Sequence, residues 1–182
     1  FALYFDLVPE NLHPIVSAAL LKDIEVTRKT HMSTGFVGTP YLTQVLTDIG
    51  RVDLAYALLL QKSFPSWLYS VVHGATTIWE RWDGWTEENG FQDPGMNSFN
   101  HYAYGAVGTW MYENITGIRS DSKNPGFKHI ILRPIIGDGM NYARCAYQSP
   151  YGLIRSHWYT EEKAMIWEVS VPANTSATAH IP

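Results

Sequence analysis

One cysteine, Cys145, stands alone among 182 residues, so the chain can form no internal disulfide. With no second thiol and no metal-type spacing around it, Cys145 reads as a buried or half-buried strand residue, not a nucleophile. No run of about 18 apolar residues occurs, so no membrane span is expected. Basic residues are not in excess: 13 Lys and Arg face 17 Asp and Glu, a formal charge of −4. That balance leaves no electrostatic footprint for nucleic acid. Seven histidines are present, but no two are four apart, the helical spacing of a metal-binding pair. Neither a metal nor a cofactor is expected. A Gly-X-Ser-X-Gly elbow, a phosphate-cradling glycine loop and a dinucleotide fingerprint are all missing. There is no internal repeat, no low-complexity tract and no basic segment leading into an apolar one. Also missing is a capping residue ahead of Phe1-Ala2-Leu3-Tyr4-Phe5-Asp6-Leu7-Val8. The chain is therefore expected to begin inside a helix, as the C-terminal piece of a longer protein.

What is present divides into two halves with different periods. The hydrophobic share is 46% and the aromatic share 14%, enough to build a core. Up to about residue 118, apolar residues recur at helical spacing. Leu12, Ile15, Val16, Ala19, Leu20 and Ile24 mark one face. Thr39-Pro40 should open a second helix, with Thr39 as cap and Pro40 in the first turn, where its missing donor costs nothing. Leu42, Val45, Leu46 and Ile49 form its face, and Gly50 stops it. A third helix follows from Asp53 to Leu60, a short one from Ser66 to Val72. The longest is expected from Asn97 or Ser98 to Ile115, with Tyr102, Ala106, Trp110 and Met111 along it. From about residue 125 the period becomes two. Strands are expected at 127–132, 140–149, 152–159, 164–171 and 175–181, forming one antiparallel module. Tyr147, Tyr151, Trp158, Tyr159 and Trp167 read there as sheet packing. The polar stretch Ser120 to Asn124, just before Pro125, places the boundary. The expected organisation is thus a helical domain over 1–120 and a β domain over 124–182. Asn114 and Asn174 head two glycosylation sequons.

Two loops are long and rich in glycine, 33–38 and 74–95. The second exceeds 20 residues, and loops of that length in compact domains are usually functional or disordered. Its tryptophans argue against disorder. In the run Gly74-Ala75-Thr76-Thr77-Ile78-Trp79-Glu80-Arg81-Trp82-Asp83-Gly84-Trp85, one carboxylate lies between two tryptophans, with a third just beyond. Indole faces stack on sugar rings, and a carboxylate beside them can move protons. The residues alone admit a second reading, a Trp-rich core loop with Glu80 paired to Arg81 at the surface.

That run, with Gly90-Phe91-Gln92-Asp93-Pro94-Gly95-Met96-Asn97-Ser98-Phe99-Asn100-His101-Tyr102, resembles the bacterial α-L-rhamnosidases. So do Ser33-Thr34-Gly35-Phe36-Val37-Gly38-Thr39-Pro40-Tyr41-Leu42 and Asn124-Pro125-Gly126-Phe127-Lys128-His129. The motifs fall in the same order and cover nearly the whole chain. The resemblance implies a mainly α fold with a C-terminal all-β module, namely the last helices of an (α/α)6 toroid followed by a small antiparallel β-sandwich. It implies an inverting hydrolase that releases terminal α-L-rhamnose from glycosides or polysaccharides. Glu80 falls on the family's general-base position and His101 on its sugar-site histidine, 21 residues later. No segment matches the upstream motif that supplies the general acid, since Asp83, Glu87, Glu88 and Asp93 lie outside that context. The isolated chain is therefore expected to be inactive.

Around Glu80, Trp79 and Trp82 are the candidate sugar platforms, and at least one of the three tryptophans should be core. Asp83 is expected to accept from sugar hydroxyls or to fix the loop. Arg81 should orient a carboxylate with its planar fork. Asn100 is a further candidate contact, whereas Asn97 should cap the following helix. His31 and Phe36 are candidates for the cleft rim. Two other classes of function stay open. The chain could belong to a helical-toroid glycosidase with another sugar preference, revealed by substrate choice. It could instead be a non-catalytic carbohydrate-binding or structural piece, which would tolerate Glu80→Gln. Helix faces left open should promote self-association.

Overall fold

The computed structural model describes residues 1–162 and 164–182. The chain divides into two compact units, Phe1–Val107 and Gly108–Pro182. Helices dominate the first and strands the second.

The opening segment does not form the expected helix. Phe5 N–H donates to Phe1 O at 3.0 Å and Leu7 N–H to Ala2 O at 2.9 Å, but Asp6 takes φ 53° and ends the run. Pro9 follows, and the residue before a proline avoids the helical region. Helix α1, His13–Lys22, is led in by a 3-10 turn at Glu10–Leu12 and runs on into a π turn at Asp23–Thr27. The expected face is present but not covered: no residue of α1 is buried, and Ile15 is 66% exposed. Only Ile24, in the π turn, is enclosed.

Helix α2, Thr39–Asp48, buries Thr39, Leu42, Thr43, Val45 and Leu46. Thr39 is not its cap. Gly38 holds that position, while the Thr39 hydroxyl turns back to Gly35 O at 2.9 Å, as a helical threonine does. Gly50, at φ 79°, follows the end of α2. Helix α3, Val52–Leu60, is apolar nearly all round and buries Leu54, Ala55, Tyr56, Leu58 and Leu59. Helix α4, Trp67–Val72, is capped by Ser66, whose hydroxyl accepts from Tyr69 N–H.

The loop after α4 holds structure that periodicity did not reveal. Strands β1, Trp85–Thr86, and β2, Gly90–Phe91, make a two-residue ladder, followed by a 3-10 turn at Pro94–Met96. The long helix expected from Asn97 is broken up. Residues 97–102 are irregular, then come a 3-10 turn at Ala103–Ala106, helix α5 at Val107–Trp110, and a π turn at Met111–Ile115. Gly105, Gly108, Val107 and Thr109 are poor helix formers, and the start of the segment is tied to the 74–95 loop. The buried face is Ala103, Tyr104, Val107 and Trp110, while Tyr102 is 86% exposed.

The second unit carries two three-stranded sheets. Strand β3, Ile118–Ser120, was not expected and lies just ahead of the polar stretch Ser120 to Asn124. It pairs antiparallel with β4, His129–Leu132. Strands β5 (Tyr142–Ser149), β6 (Gly152–Glu161) and β7 (Ala164–Ser170) form an antiparallel meander. Strand β8, Ser176–Ala179, runs parallel to β4, which corrects the all-antiparallel expectation. The long crossover that a parallel pair requires is the meander itself. Both sheets feed one apolar cluster of Ile118, Ile130, Leu132, Cys145 and Ile154, with Phe127, Tyr147 and Trp167 packed against it. Burial pushes the Cys145 thiol above its ordinary range. Trp158, wholly buried, donates its indole N–H to Ile115 O at 2.7 Å, and Ser156 donates to Thr116 O at 2.6 Å. Asn114 is also wholly buried, so its sequon is closed in the folded unit. Among the described residues, no helix is long and apolar enough to cross a membrane.

Candidate active site

The segment carrying Glu80 is held against the segment carrying His101 by main-chain bonds. Glu80 N–H donates to Ser98 O and His101 N–H to Ile78 O, each at 2.8 Å. The Thr77 hydroxyl donates to Phe99 O. Two residues 21 apart in sequence thus come from strands of chain lashed side by side. Gly84 O closes the far end of the loop by accepting from Gln92 N–H (3.1 Å) and from Asn97 Nδ2 (2.9 Å). Asn97 is therefore a loop clasp in extended backbone, not the helix cap that was expected, because no helix starts there.

Glu80 is half-buried. Among the described residues, no side-chain hydrogen bond or ion pair engages its carboxylate. Arg81 turns instead to Asp83 in a two-pronged contact, Nε to Oδ1 and Nη2 to Oδ2, both 2.9 Å. The Asp83 contact is also the main reason that the guanidinium is held above its ordinary range, with the Glu80 charge adding to it. The fork of Arg81 thus orients the Asp83 carboxylate, while Glu80 stays unpaired.

The tryptophans split by role. Trp82 is built into a wall: its ring lies flat on Tyr104 (centroids 3.9 Å apart, 7° between planes) and edge-on to Trp67 at 5.4 Å. Its indole N–H donates to Thr34 O at 2.8 Å, joining the two glycine-rich loops. Trp79 meets Phe99 edge-on at 5.3 Å. The space enclosed by Trp67, Ile78, Trp79, Arg81, Trp82 and Tyr104 is about 10 Å³, room for a water-sized body and not for a sugar ring. Trp85 sits in β1 against His73.

His101 lies between aromatic rings, parallel to Phe36 at 4.9 Å and to Tyr102 at 5.2 Å. Its Nδ1 accepts from Ala103 N–H at 3.2 Å, so the neutral ring carries its proton on Nε2 and presents a donor there. Phe36, expected at the rim, is therefore beside His101. His31 is elsewhere engaged, bonding Arg28 O and Ser63. Asn100 is exposed, and its backbone N–H donates to Ser98 Oγ at 3.3 Å. Asp93 accepts from Gly95 N–H, and Glu87 and Glu88 are exposed.

Sequence reasoning missed Tyr104. Its phenol is buried behind Trp82, and burial, then the Asp83 charge, push it above its ordinary range against the opposing Arg81. The only signal was its spacing, three residues after His101, on what looked like the flank of a helix. Among the described residues, no group of three or more His, Cys, Asp or Glu is placed to hold a metal ion.

Comparison with known proteins covers the chain end to end. Residues 1–115 match the bacterial alpha-L-rhamnosidase 6 hairpin glycosidase domain, and residues 117–182 the bacterial alpha-L-rhamnosidase C-terminal domain. An alpha-L-rhamnosidase of Streptomyces avermitilis is 45% identical over 180 residues, 99% of this chain and 17% of that protein. One of Formosa agariphila is 44% identical over 181 residues, 100% of this chain and 19% of that protein. The chain thus spans about a fifth of the length of these relatives. Among solved structures, the S. avermitilis alpha-L-rhamnosidase complexed with L-rhamnose superposes with a TM-score of 0.94 at 45% identity, covering 100% of this chain and 17% of that one. The alpha-L-rhamnosidase of Aspergillus terreus superposes with a TM-score of 0.88 at 38% identity, covering 100% and 21%.

Proposed function

Since the chain belongs to the bacterial α-L-rhamnosidase family, we propose that it is the C-terminal part of a glycoside hydrolase releasing terminal α-L-rhamnose with inversion. In this reading the substrate is a rhamnose-containing glycoside or polysaccharide. Residues 1–120 are the last helices of a six-hairpin toroid, and residues 124–182 a small β-sandwich. The uncovered α1 supports the first part, because a toroid supplies further hairpins to lie against it.

Glu80 is the general base, and the observation that carries this is its freedom. It is half-buried, held through its own backbone, and left unpaired because Asp83 occupies the neighbouring arginine. An ionised carboxylate so placed takes a proton from water as that water attacks the anomeric carbon. A carboxylic acid on the other side protonates the leaving oxygen, and inverting enzymes keep the two groups about 6.5–9.5 Å apart to admit the water. That acid comes from outside residues 1–182, so the isolated chain does not turn over rhamnosides. His101 Nε2–H donates to a sugar hydroxyl, with Phe36 stacked behind it. Trp79, Asp83, Arg81 and Asn100 complete the surface, and Trp82 serves through the wall it makes with Tyr104.

The test is hydrolysis of an aryl α-L-rhamnoside by the full-length protein, wild type beside Glu80→Gln. The variant should lose roughly 10²–10⁴-fold in kcat. Unchanged activity in the variant would sink the base assignment, and an inactive wild type would sink the substrate.

A further inference from the structure

The outward face of the β5-β6-β7 sheet carries two arginines that the fold leaves without a partner among the described residues. Register sets Arg144, His157 and Glu168 in one row across the three strands. Arg155 stands on the next row, between Ala146 and Ser170. Alternation sends these side chains away from Cys145, Ile154, Ser156 and Trp158, which are buried on the opposite face. Glu168 is committed to His157, with Oε2 3.1 Å from Nδ1. Neither Arg144 nor Arg155 has an ion-pair or hydrogen-bond partner among the described residues. The two are diagonal neighbours, a relation that brings side chains within about 7–8 Å. Together they outweigh the one carboxylate on these rows, Glu168, which is itself diagonal to Arg155 across β6 and β7.

These side chains line a groove of about 540 Å³, with Val169 and Ser170 of β7 also in its lining. Its size falls within the range of small-molecule sites. Aromatic surface continues the same face. Tyr159 lies 5.3 Å from the His157 ring, and Tyr142, its partner across the ladder, is 67% exposed.

We propose that this groove binds an anionic saccharide, one whose rings bear carboxylate or sulfate groups. The two guanidinium forks match such oxyanions in pairs, and they keep their charge at any working pH. The tyrosines offer flat faces to the ring that carries the anion. The chain as a whole is negative, at −4, so a diffuse attraction for polyanions does not account for binding here. The ligand is a charged stretch of glycan rather than neutral rhamnose. The site does not depend on the hydrolytic role of Glu80.

Calorimetric titration of the full-length protein with four probes tests this: an oligogalacturonate, its full methyl ester, a sulfated neutral oligosaccharide, and sodium sulfate. At least one charged oligosaccharide should bind, and the tighter of the two identifies the anion. If that is the uronate, its ester should bind at least about tenfold more weakly, since a lost charge-assisted contact is of that size. If it is the sulfated oligosaccharide, the uncharged ester serves as the neutral control at the same margin. Arg144→Ala and Arg155→Ala should each weaken binding about tenfold, while Glu80→Gln leaves it unchanged. Arg144→Gln and Arg155→Gln, melting like wild type, guard against a folding artefact. The proposal fails if neither charged oligosaccharide binds, if the ester binds as well as the charged forms, or if the arginine variants bind normally. It also fails if free sulfate binds as tightly as the oligosaccharides, which would leave a plain ion site.

Discussion

Helix α1 and strand β6 are each ten residues long, yet α1 buries none of its side chains, while β6 buries Ile154, Ser156 and Trp158 completely. The strand unit answers its own apolar faces. Alternation sends one side of β6 into a cluster that the β3-β4-β8 sheet completes, and the buried polar groups on that side find carbonyls at Ile115 and Thr116. The helical unit does not. Phe1, Leu3, Val16, Leu20, Tyr41 and Val45 line an apolar groove of about 290 Å³, and Leu12, Ile15 and Val26 face outward. A sheet finds its cover in a second sheet drawn from a short stretch of chain. A helix stripe needs other helices to cover it.

The contrast breaks most sharply at Gly117. A Cβ there would lie 2.2 Å from Pro134 N and 2.4 Å from Arg133 C, backbone atoms that cannot step aside, and φ is +76°. Gly117→Ala should cost upwards of about 3 kcal/mol and abolish the cooperative melt of the strand unit, followed by near-ultraviolet circular dichroism. A normal melt would show that the Gly117–Arg133 crossing is softer than its geometry.

Trp158→Ala comes next. It removes a wholly buried ring and strands the Ile115 carbonyl, for about 3–5 kcal/mol by urea denaturation. Ile15→Lys is its counterpart in the helical unit. It should change stability by no more than about 0.5 kcal/mol, because nothing packs there. It should instead reduce self-association of the isolated chain in sedimentation velocity, since an exposed apolar face drives association. A strongly destabilised Ile15→Lys would mean that α1 is covered after all.

The smallest effect is electrostatic. Arg51 reaches Glu25 at 2.6 Å and Asp53 at 2.9 Å, and its hydrogen bonds hold both carboxyls below their ordinary range. With the folded pKa values depressed, the contribution is complete above the unfolded values near about 4 and fades as pH falls through the lower folded ones. The pair is exposed, so the loss should be slight. The measurement is a comparison of wild type and Arg51→Met over acid pH, where the variant's curve should be flatter. Parallel curves would assign the acid loss to other carboxyls.

Much of this was legible beforehand. Helices α2 and α3 fall where apolar spacing and a Pro-opened, Gly-stopped segment put them, because helix hydrogen bonds are local and a stripe of one period serves any partner. Strands β5, β6 and β7 follow from alternation and tight turns. The Trp-Glu-Arg-Trp run drew attention to Glu80 through composition alone. What was not legible depends on who meets whom. No local signal told Arg81 to choose Asp83, Trp82 to lie on Tyr104, or Asn97 to clasp Gly84. Likewise β4 takes β8 as a parallel partner across more than 40 residues, and the segment after Asn97 gives up helix because its backbone bonds to Ile78 and Glu80 instead. Periodicity records which side of an element is apolar, and that the sequence by itself determined. Pairing is a competition among all the surfaces the chain brings together, and only the tertiary structure decides it.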